Sequence, residues 1–408
     1  MKRFFSVILA CLMLTLLLCP LASCGNEQAT EEDSVELKGT INVYNWGEYI
    51  SDGSEGSLDV NAAFTEATGI KVNYTTFASN EDMYAKLKSG ATGYDVVIPS
   101  DYMIKRLLDE DMLEKLNYDN IPNFQYIAED FICPYYDPTN EYTVPYTYGM
   151  VGIIYNSSRV SEDDIGSWDL LWNENYKGDI LQYNNSRDAF GTAMYRLGID
   201  VNTCDEGEWR RALSALSDQK ELVQSYVMDE IFNKMESGEA AIASYYAGDF
   251  LTMSENNEDL AFYYPEEGTN IFVDAMCIPK GSKNKELAEQ YINFMLSREI
   301  AIANAEYICY ACPNTLVTDS EEYAEYMGED WLEILYPEGF DLKADYDRYC
   351  YKNLPTGTLN MVNELWEELK IDSSLGAWVY VSCVLIILLI VVWGMVSFII
   401  KKKRSKYY

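Results

Sequence analysis

Three short segments combine an aromatic side chain with a carboxylate a few residues away: Trp46–Tyr49, Tyr246–Asp249 and Phe272–Asp274. Carboxylates accept charge-assisted hydrogen bonds from a protonated amine, and the face of an aromatic ring attracts a cation by ~0.5–2 kcal/mol. A methylene chain between two amines also packs against rings. Together the segments favour a site for an aliphatic polyamine, while each one alone is also typical of a hydrophobic core.

The overall charge is consistent with a cationic ligand. The 408 residues include 30 Lys and Arg against 66 Asp and Glu and no histidine, which gives a formal net charge of −36. An acidic surface attracts cations into any cleft that it encloses, whereas a nucleic acid would need a basic face. The lack of histidine excludes Ser-His-Asp and Cys-His nucleophilic sites and HExxH zinc sites.

The middle of the chain alternates strand-like and helix-like patterns, which predicts an α/β fold. Because functional loops lie at the carboxyl ends of the strands in such folds, Trp46–Tyr49 and Ser100–Tyr102 should share one rim. The predicted strands are 40–46, 70–77, 94–99, 150–155, 179–183, 240–245 and 271–278, and the predicted helices are 58–67, 80–88, 187–197, 208–216 and 284–295.

The pattern predicts two lobes with crossing segments that enclose a cleft. Residues 39–145 form the first part of lobe 1, and residues 146–272 form the first part of lobe 2. Residues 273–322 return to lobe 1, and residues 323–372 return to lobe 2.

Five motifs carry a resemblance to a known family: Tyr44–Tyr49, Ser79–Leu87, Tyr94–Ser100, Ser167–Trp172 and Ala288–Phe294. They resemble the spermidine/putrescine-binding proteins of bacterial ABC polyamine transporters, in order, over about residues 39–370. The resemblance implies a periplasmic-binding-protein-like (type II) fold whose lobes close on the ligand. It implies no enzymatic activity and no cofactor, and its partners would be a membrane permease and a separate ATPase.

Matching the motifs residue by residue implies a ligand site. Asp274 falls on the principal amine-binding Asp, Asp188 falls where the family has a Glu that takes an ammonium, and Tyr246 replaces a stacking Trp. Arg187 would brace these acids. The implied ligand-binding residues are Trp46, Glu48, Tyr49, Ser100, Tyr102, Asn185, Asp188, Tyr246, Asp249, Phe272, Asp274 and Tyr310.

The resemblance leaves the choice between putrescine and spermidine open. Asn185 stands where spermidine-binding relatives have an Asp, and Asp249 and Phe272 look more like putrescine binders. Tyr102, by contrast, looks more like the residue that spermidine binders have at this position.

The two ends of the chain predict membrane attachment on the extracytoplasmic side. Residues 1–24 have the three-part layout of a secretory signal and end in a lipobox-like Leu-Ala-Ser-Cys, so Cys24 is the expected lipidation site. Residues 25–38 read as a disordered tether. Residues 375–400 carry no charge and are long enough to cross a bilayer, and the basic tail 401–408 would then be cytoplasmic.

Several alternatives remain at the level of sequence. The protein could bind another small cation or a metal chelate, it could be an extracytoplasmic glycosidase that uses two carboxylates, or it could be a tethered sensor. The spacing of Cys309 and Cys312 permits a local disulfide, but packing is the simpler interpretation. No metal site, nucleic-acid partner or oligomer is expected.

Overall fold

The structure is a computed structural model that describes residues 38–90, 93–338 and 342–371, together with residues 382, 385–388 and 393. Within those residues, no helix is both long and apolar enough to cross a membrane. The predicted signal sequence with Cys24, nearly all of the tether, most of the span 375–400 and the tail 401–408 lie outside the described residues.

Nine strands form one sheet in the order β2-β1-β3-β9-β4-β7-β5-β6, and β8 pairs with β4 beside that path. β1 pairs in parallel with β2 and β3, whereas β9 pairs antiparallel with both β3 and β4. The strands are β1 Gly39–Trp46, β2 Ile70–Phe77, β3 Val96–Val97, β4 Thr143–Asn156, β5 Ile180–Tyr183, β6 Val223–Val227, β7 Ile242–Tyr246, β8 Leu260–Tyr263 and β9 Ile271–Cys277.

Thirteen α-helices lie in the described part of the chain. Several of those at the site begin at a side chain that caps the first turn: Ser79 accepts from the backbone N–H of Asp82, and Asn185 accepts from that of Asp188. The helices are α1 Val60–Thr68, α2 Asn80–Lys88, α3 Asp101–Asp109, α4 Ser186–Arg196, α5 Glu206–Lys220, α6 Glu230–Glu236, α7 Ala247–Asn256, α8 Lys285–Met295, α9 Arg298–Ile308, α10 Thr315–Thr318, α11 Glu321–Leu335, α12 Leu342–Tyr349 and α13 Thr356–Lys370.

The long strand β4 joins the two halves of the sheet. Its first part, from Thr143 to Met150, pairs with β9, and its later part pairs with β7 and β8. The register of β4 against β9 shifts between Pro145 and Thr147. This shift lies directly opposite Asp274, so the strand that links the halves pairs with β9 at a predicted site residue.

Every predicted strand and helix of the middle region has a counterpart in the structure, with ends that differ by a few residues, except that β4 begins at Thr143 and not at residue 150. Strands β6 and β8 and helices α3, α6, α7 and α9–α13 were not predicted. The core is continuous across the sheet and includes the fully buried Trp168 and Trp209. Burial on this scale requires no covalent staple, and Cys309 and Cys312 are not joined by a disulfide.

Candidate functional site

The structure brings eleven of the twelve predicted ligand residues to one cavity between the two halves of the sheet. Glu48 is the exception, because it lines the neighbouring cavity, to which Asp229 also contributes. The eleven are Trp46, Tyr49, Ser100, Tyr102, Asn185, Asp188, Tyr246, Asp249, Phe272, Asp274 and Tyr310.

The carboxyl ends of two parallel strands supply one side of the cavity. Trp46 is the last residue of β1, and Ser100 follows β3 and begins helix α3. Glu48 has a φ of 46°, a left-handed conformation in the turn that leads from Trp46 to Tyr49. The predicted shared rim is therefore present.

Asp274 lies on β9 in the cavity wall, with Thr147 of β4 opposite. Its side chain is 3% exposed, its Oδ2 accepts from the hydroxyl of Tyr49 at 2.8 Å, and its Oδ1 has no hydrogen-bond partner. Burial raises the pKa of Asp274 to about 6, against the lowering effect of hydrogen bonds from Ser100 and Tyr49. A buried oxygen without a partner is costly, so a donor from a ligand would be stabilised here.

Asp188 stands in the first turn of α4 at another part of the wall. Its Oδ2 accepts from the Asn185 amide and from the Tyr246 hydroxyl, each at 2.7 Å. Asn185 also caps the helix by accepting from the Asp188 backbone N–H at 2.9 Å. Since both ends of its amide are engaged, Asn185 positions Asp188. Burial raises the pKa of Asp188, while these hydrogen bonds act to lower it.

Asp249 is the third acid, in the first turn of α7. Burial raises its pKa to about 8; the Tyr310 hydrogen bond opposes that rise, and the charges of Asp229 and Glu48 add to it. This carboxyl therefore mostly holds a proton at neutral pH. An arriving cation would favour the ionised form.

Aromatic rings form a continuous surface beside these acids. The ring of Phe272 meets those of Tyr246 and Tyr310 edge to face, at centroid distances of 5.4 and 6.3 Å. Tyr310 in turn meets Tyr49 at 4.8 Å. Gly248 makes room for Tyr310, because a Cβ atom at that position would lie 2.4 Å from the tyrosine ring.

Other residues of the wall were missed by sequence reasoning. Glu81 lies in the first turn of α2, just beyond the end of β2, so the rule that found Ser100 could also have found it. Asp101 follows Ser100, and burial raises its pKa to about 7 although Tyr346 donates to it at 2.6 Å. Tyr351, from the far end of the chain, had no recognisable signal. The remaining lining residues are Gly47, Ser79, Asn80, Met228, Asp229, Tyr245 and Asn270.

The charge of the cavity has one sign. Its described lining residues include six carboxylates and no lysine or arginine; the acids are Glu81, Asp101, Asp188, Asp229, Asp249 and Asp274. Within the described part of the chain, no group of three or more His, Cys, Asp or Glu side chains is arranged to hold a metal ion. The arrangement suits an organic cation with several donors.

Comparison with known proteins gives consistent matches. The model of the family described as bacterial extracellular solute-binding protein matches residues 60–328. The chain is 34% identical over 276 residues to the spermidine/putrescine-binding periplasmic protein of Escherichia coli (strain K12), covering 67% of this chain and 78% of that protein.

Two solved structures are similar over most of the chain. The spermidine/putrescine ABC transporter substrate-binding protein of Streptococcus pneumoniae is 34% identical with a TM-score of 0.65, covering 81% of this chain and 98% of the other. The Tp0655 lipoprotein of Treponema pallidum is 27% identical with a TM-score of 0.67, covering 81% of this chain and 99% of the other.

Proposed function

The chain belongs to the family of bacterial extracellular solute-binding proteins, and we propose that it binds a polyamine, putrescine or spermidine, for uptake through an ABC importer. The predicted periplasmic-binding-protein-like α/β fold is confirmed by this membership, and binding proteins of this kind capture their ligand without chemistry. One observation carries the proposal: six carboxylates and a wall of aromatic rings share a cavity whose described lining residues include no basic group.

Electrostatics explains why such a cavity needs a polycation. Burial raises the pKa of acids such as Asp249 and Asp274, the charges of neighbouring acids add to the rise, and these groups therefore remain partly protonated. A buried ammonium is likewise costly unless it is paired. Binding stabilises both the buried acids and the buried ammonium groups, because each ammonium group donates to a carboxylate while the alkyl chain packs on the rings.

We assign the contacts as follows. Asp274, whose Oδ1 lacks a donor, takes one ammonium group of the ligand, and Asp188 and Asp249 are the acceptors for its other ammonium groups, one in putrescine and two in spermidine. Trp46, Tyr246 and Phe272 pack on the methylene chain. Asn185 acts through Asp188, and Glu48 lies further out, beside Asp229.

Calorimetric titration with putrescine, spermidine and cadaverine tests the function. We expect micromolar or tighter binding of at least one polyamine and none after Asp274→Ala. Asp218→Asn is the matched control, since this exposed acid on α5 lies outside the cavity wall and its loss should leave affinity unchanged. Retained affinity in Asp274→Ala would remove the site assignment. Binding of only another small cation or of an oligosaccharide by the wild-type protein would refute the polyamine function.

Lobe closure is part of the same proposal. The lobe boundaries at 145/146 and 272/273 fall on adjacent strands, β4 and β9, beside the register shift between Pro145 and Thr147. We infer that the lobes close about this strand pair and that the ligand stabilises the closed form by its higher affinity for it. Small-angle scattering should then give a smaller radius of gyration with ligand than without.

Membrane attachment at both ends is proposed from the sequence. A lipid on Cys24 and a span at 375–400 would hold the binding domain at the outer face, near a permease. Detergent-phase partitioning tests this: the full chain should enter the detergent phase, and a Cys24→Ala chain that ends at Asp372 should not. Detergent partitioning of that shortened variant would contradict the proposal.

A further inference from the structure

Arg187 is a buried cation without a carboxylate at ion-pair distance. The side chain is 3% exposed, and none of the ion pairs formed by the described residues includes it. Its Nε and Nη1 atoms have no hydrogen-bond partner, and its Nη2 donates only to the Asn202 side chain, at 3.3 Å. A buried charge in this state is costly, so its surroundings must stabilise it in another way.

Aromatic rings surround the guanidinium. Its central carbon lies 4.5 Å from the ring centre of Tyr351, 5.6 Å from that of Tyr102 and 5.9 Å from that of Trp209. These distances are within the range of cation–π attraction. Arg187 does not line the cavity, whereas Tyr102 and Tyr351 do. The cation therefore lies behind two tyrosines of the cavity wall.

The hydroxyl groups of the same two tyrosines reach two cavity acids. Tyr102 donates to Glu81 Oε1 at 3.0 Å, and Tyr351 forms a side-chain hydrogen bond with Asp188. The charge of Arg187 acts to lower the pKa of both tyrosines and of both carboxyls, against the effect of burial. Each acid is thus connected to the cation through one phenol ring.

We propose that Arg187 is a positioning residue which, through Tyr102 and Tyr351, keeps Glu81 and Asp188 as ionised carboxylates before the ligand arrives. The proposal rests on the polyamine function and deepens it, because an ionised pair at this side of the cavity is ready to accept an ammonium. A guanidinium stays protonated at every physiological pH, so the effect is permanent. The titratable groups that face Arg187 are Glu81, Tyr102, Tyr135, Asp188, Tyr195 and Tyr351.

Glu81 gains a role that sequence reasoning did not give it. Its carboxylate lines the cavity, and the Tyr102 hydroxyl that it binds also accepts from Asn80 at 3.2 Å. The phenol is therefore fixed between an amide and a carboxylate. Together with Asp188, Glu81 makes this side of the cavity an acceptor of one ammonium group.

The test compares Arg187→Gln, which removes the charge, with Arg187→Lys, which keeps it. Arg210→Gln is the matched control, because this arginine is 53% exposed on α5. Polyamine affinity of Arg187→Gln should be about tenfold weaker than wild type near pH 6 and within about threefold near pH 8.5, since higher pH restores the carboxylates. The polyamine affinity of Arg187→Lys should stay closer to that of wild type at both pH values.

Proton counting separates this role from simple loss of structure. Calorimetry in two buffers of different ionisation enthalpy should show that Arg187→Gln releases more protons per ligand near pH 6 than wild type does. An equal loss of affinity at every pH, with unchanged proton release, would overturn the proposal. If Arg187→Gln does not fold, Tyr351→Phe removes only the hydroxyl and should shift the pH profile in the same direction; an unshifted profile would also overturn it.

A measurement without ligand keeps this inference apart from the proposed function. Carboxyl carbon NMR of the empty protein should show Asp188 and Glu81 titrating at higher pH in Arg187→Gln than in wild type. Unchanged titration would refute the role of Arg187 even if polyamines bind. Failure of the wild-type protein to bind any polyamine would instead refute the function and leave the titration result in place.

Discussion

Polyamine affinity should rise about a hundredfold between about pH 6 and about pH 8, because two cavity acids must lose protons to pair with ammonium groups. Burial places the pKa of Asp249 at about 8 and that of Asp274 at about 6 in the empty protein. Below these values each carboxyl is neutral and binds a cation poorly. The ligand amines keep their charge throughout, since the pKa of an alkyl ammonium is about 10.

The magnitude follows from the two pKa values. At about pH 6, about 99% of Asp249 is protonated, and at about pH 8 about half is, so its ionisation alone changes the affinity about fiftyfold. Asp274 adds about a twofold change over the same interval, and the combined effect corresponds to about 2.7 kcal/mol. Asp101 is not assigned an amine, because its Oδ2 already accepts from the Tyr346 hydroxyl and from the Val273 backbone N–H, so its ionisation does not enter this sum.

Calorimetric titration at about pH 6, 7 and 8 measures how the affinity changes with pH. The number of protons released on binding, measured in different buffers, tests whether deprotonation of the acids causes that change. Asp249→Asn cannot titrate at that position, so its affinity should change only about twofold over the interval. An affinity that falls with rising pH, or an unchanged slope in Asp249→Asn, would refute the reasoning.

Three further outcomes are expected. Tyr246→Phe keeps the ring but removes the 2.7 Å hydrogen bond to Asp188, so calorimetry should show about tenfold weaker binding; unchanged affinity would contradict that role. Gly248→Ala places a Cβ against the Tyr310 ring and should lower the free energy of unfolding by about 1–3 kcal/mol in denaturant titration, whereas a neutral result would show that the ring moves freely. Without ligand, the raised pKa values of Asp249, Asp274 and Asp101 make the folded state bind more protons, so the free energy of unfolding should fall as pH rises from about 4 to about 8; a rise over that interval would count against these shifts.

Among the described residues, local patterns predicted seven of the nine strands and five of the thirteen helices; the other elements depend on tertiary contacts. Strand Ile70–Phe77 and helix Asn80–Lys88 have the predicted bounds, since alternation and a Ser79 cap act within a few residues. The long strand Thr143–Asn156 was predicted only from residue 150, because Pro145 is unusual inside a strand. The structure tolerates it beside a register shift, where a missing N–H is least costly.

The site was predictable where a residue follows a strand or carries a family motif. Trp46 and Ser100 end or follow strands, and Asp188 and Asp274 fall at positions where the family has amine-binding acids. Tyr351 reaches the cavity only because the chain returns to it after α12, a contact that no local pattern encodes. The buried setting of Arg187 among rings likewise depends on three distant segments.

If the lobes close about β4 and β9, as proposed, the position of Asp274 on β9 opposite the register shift of β4 sets the order of events during capture. Atoms close to a pivot travel least when two bodies swing together. Asp274 therefore offers nearly the same acceptor geometry whether the lobes are open or closed, and the ligand can bind there first. Asp188 on α4 and Asp249 on α7 lie outside this strand pair and would bind the ligand afterwards, so changes at Asp274 should alter the association rate and changes at the other two the residence time.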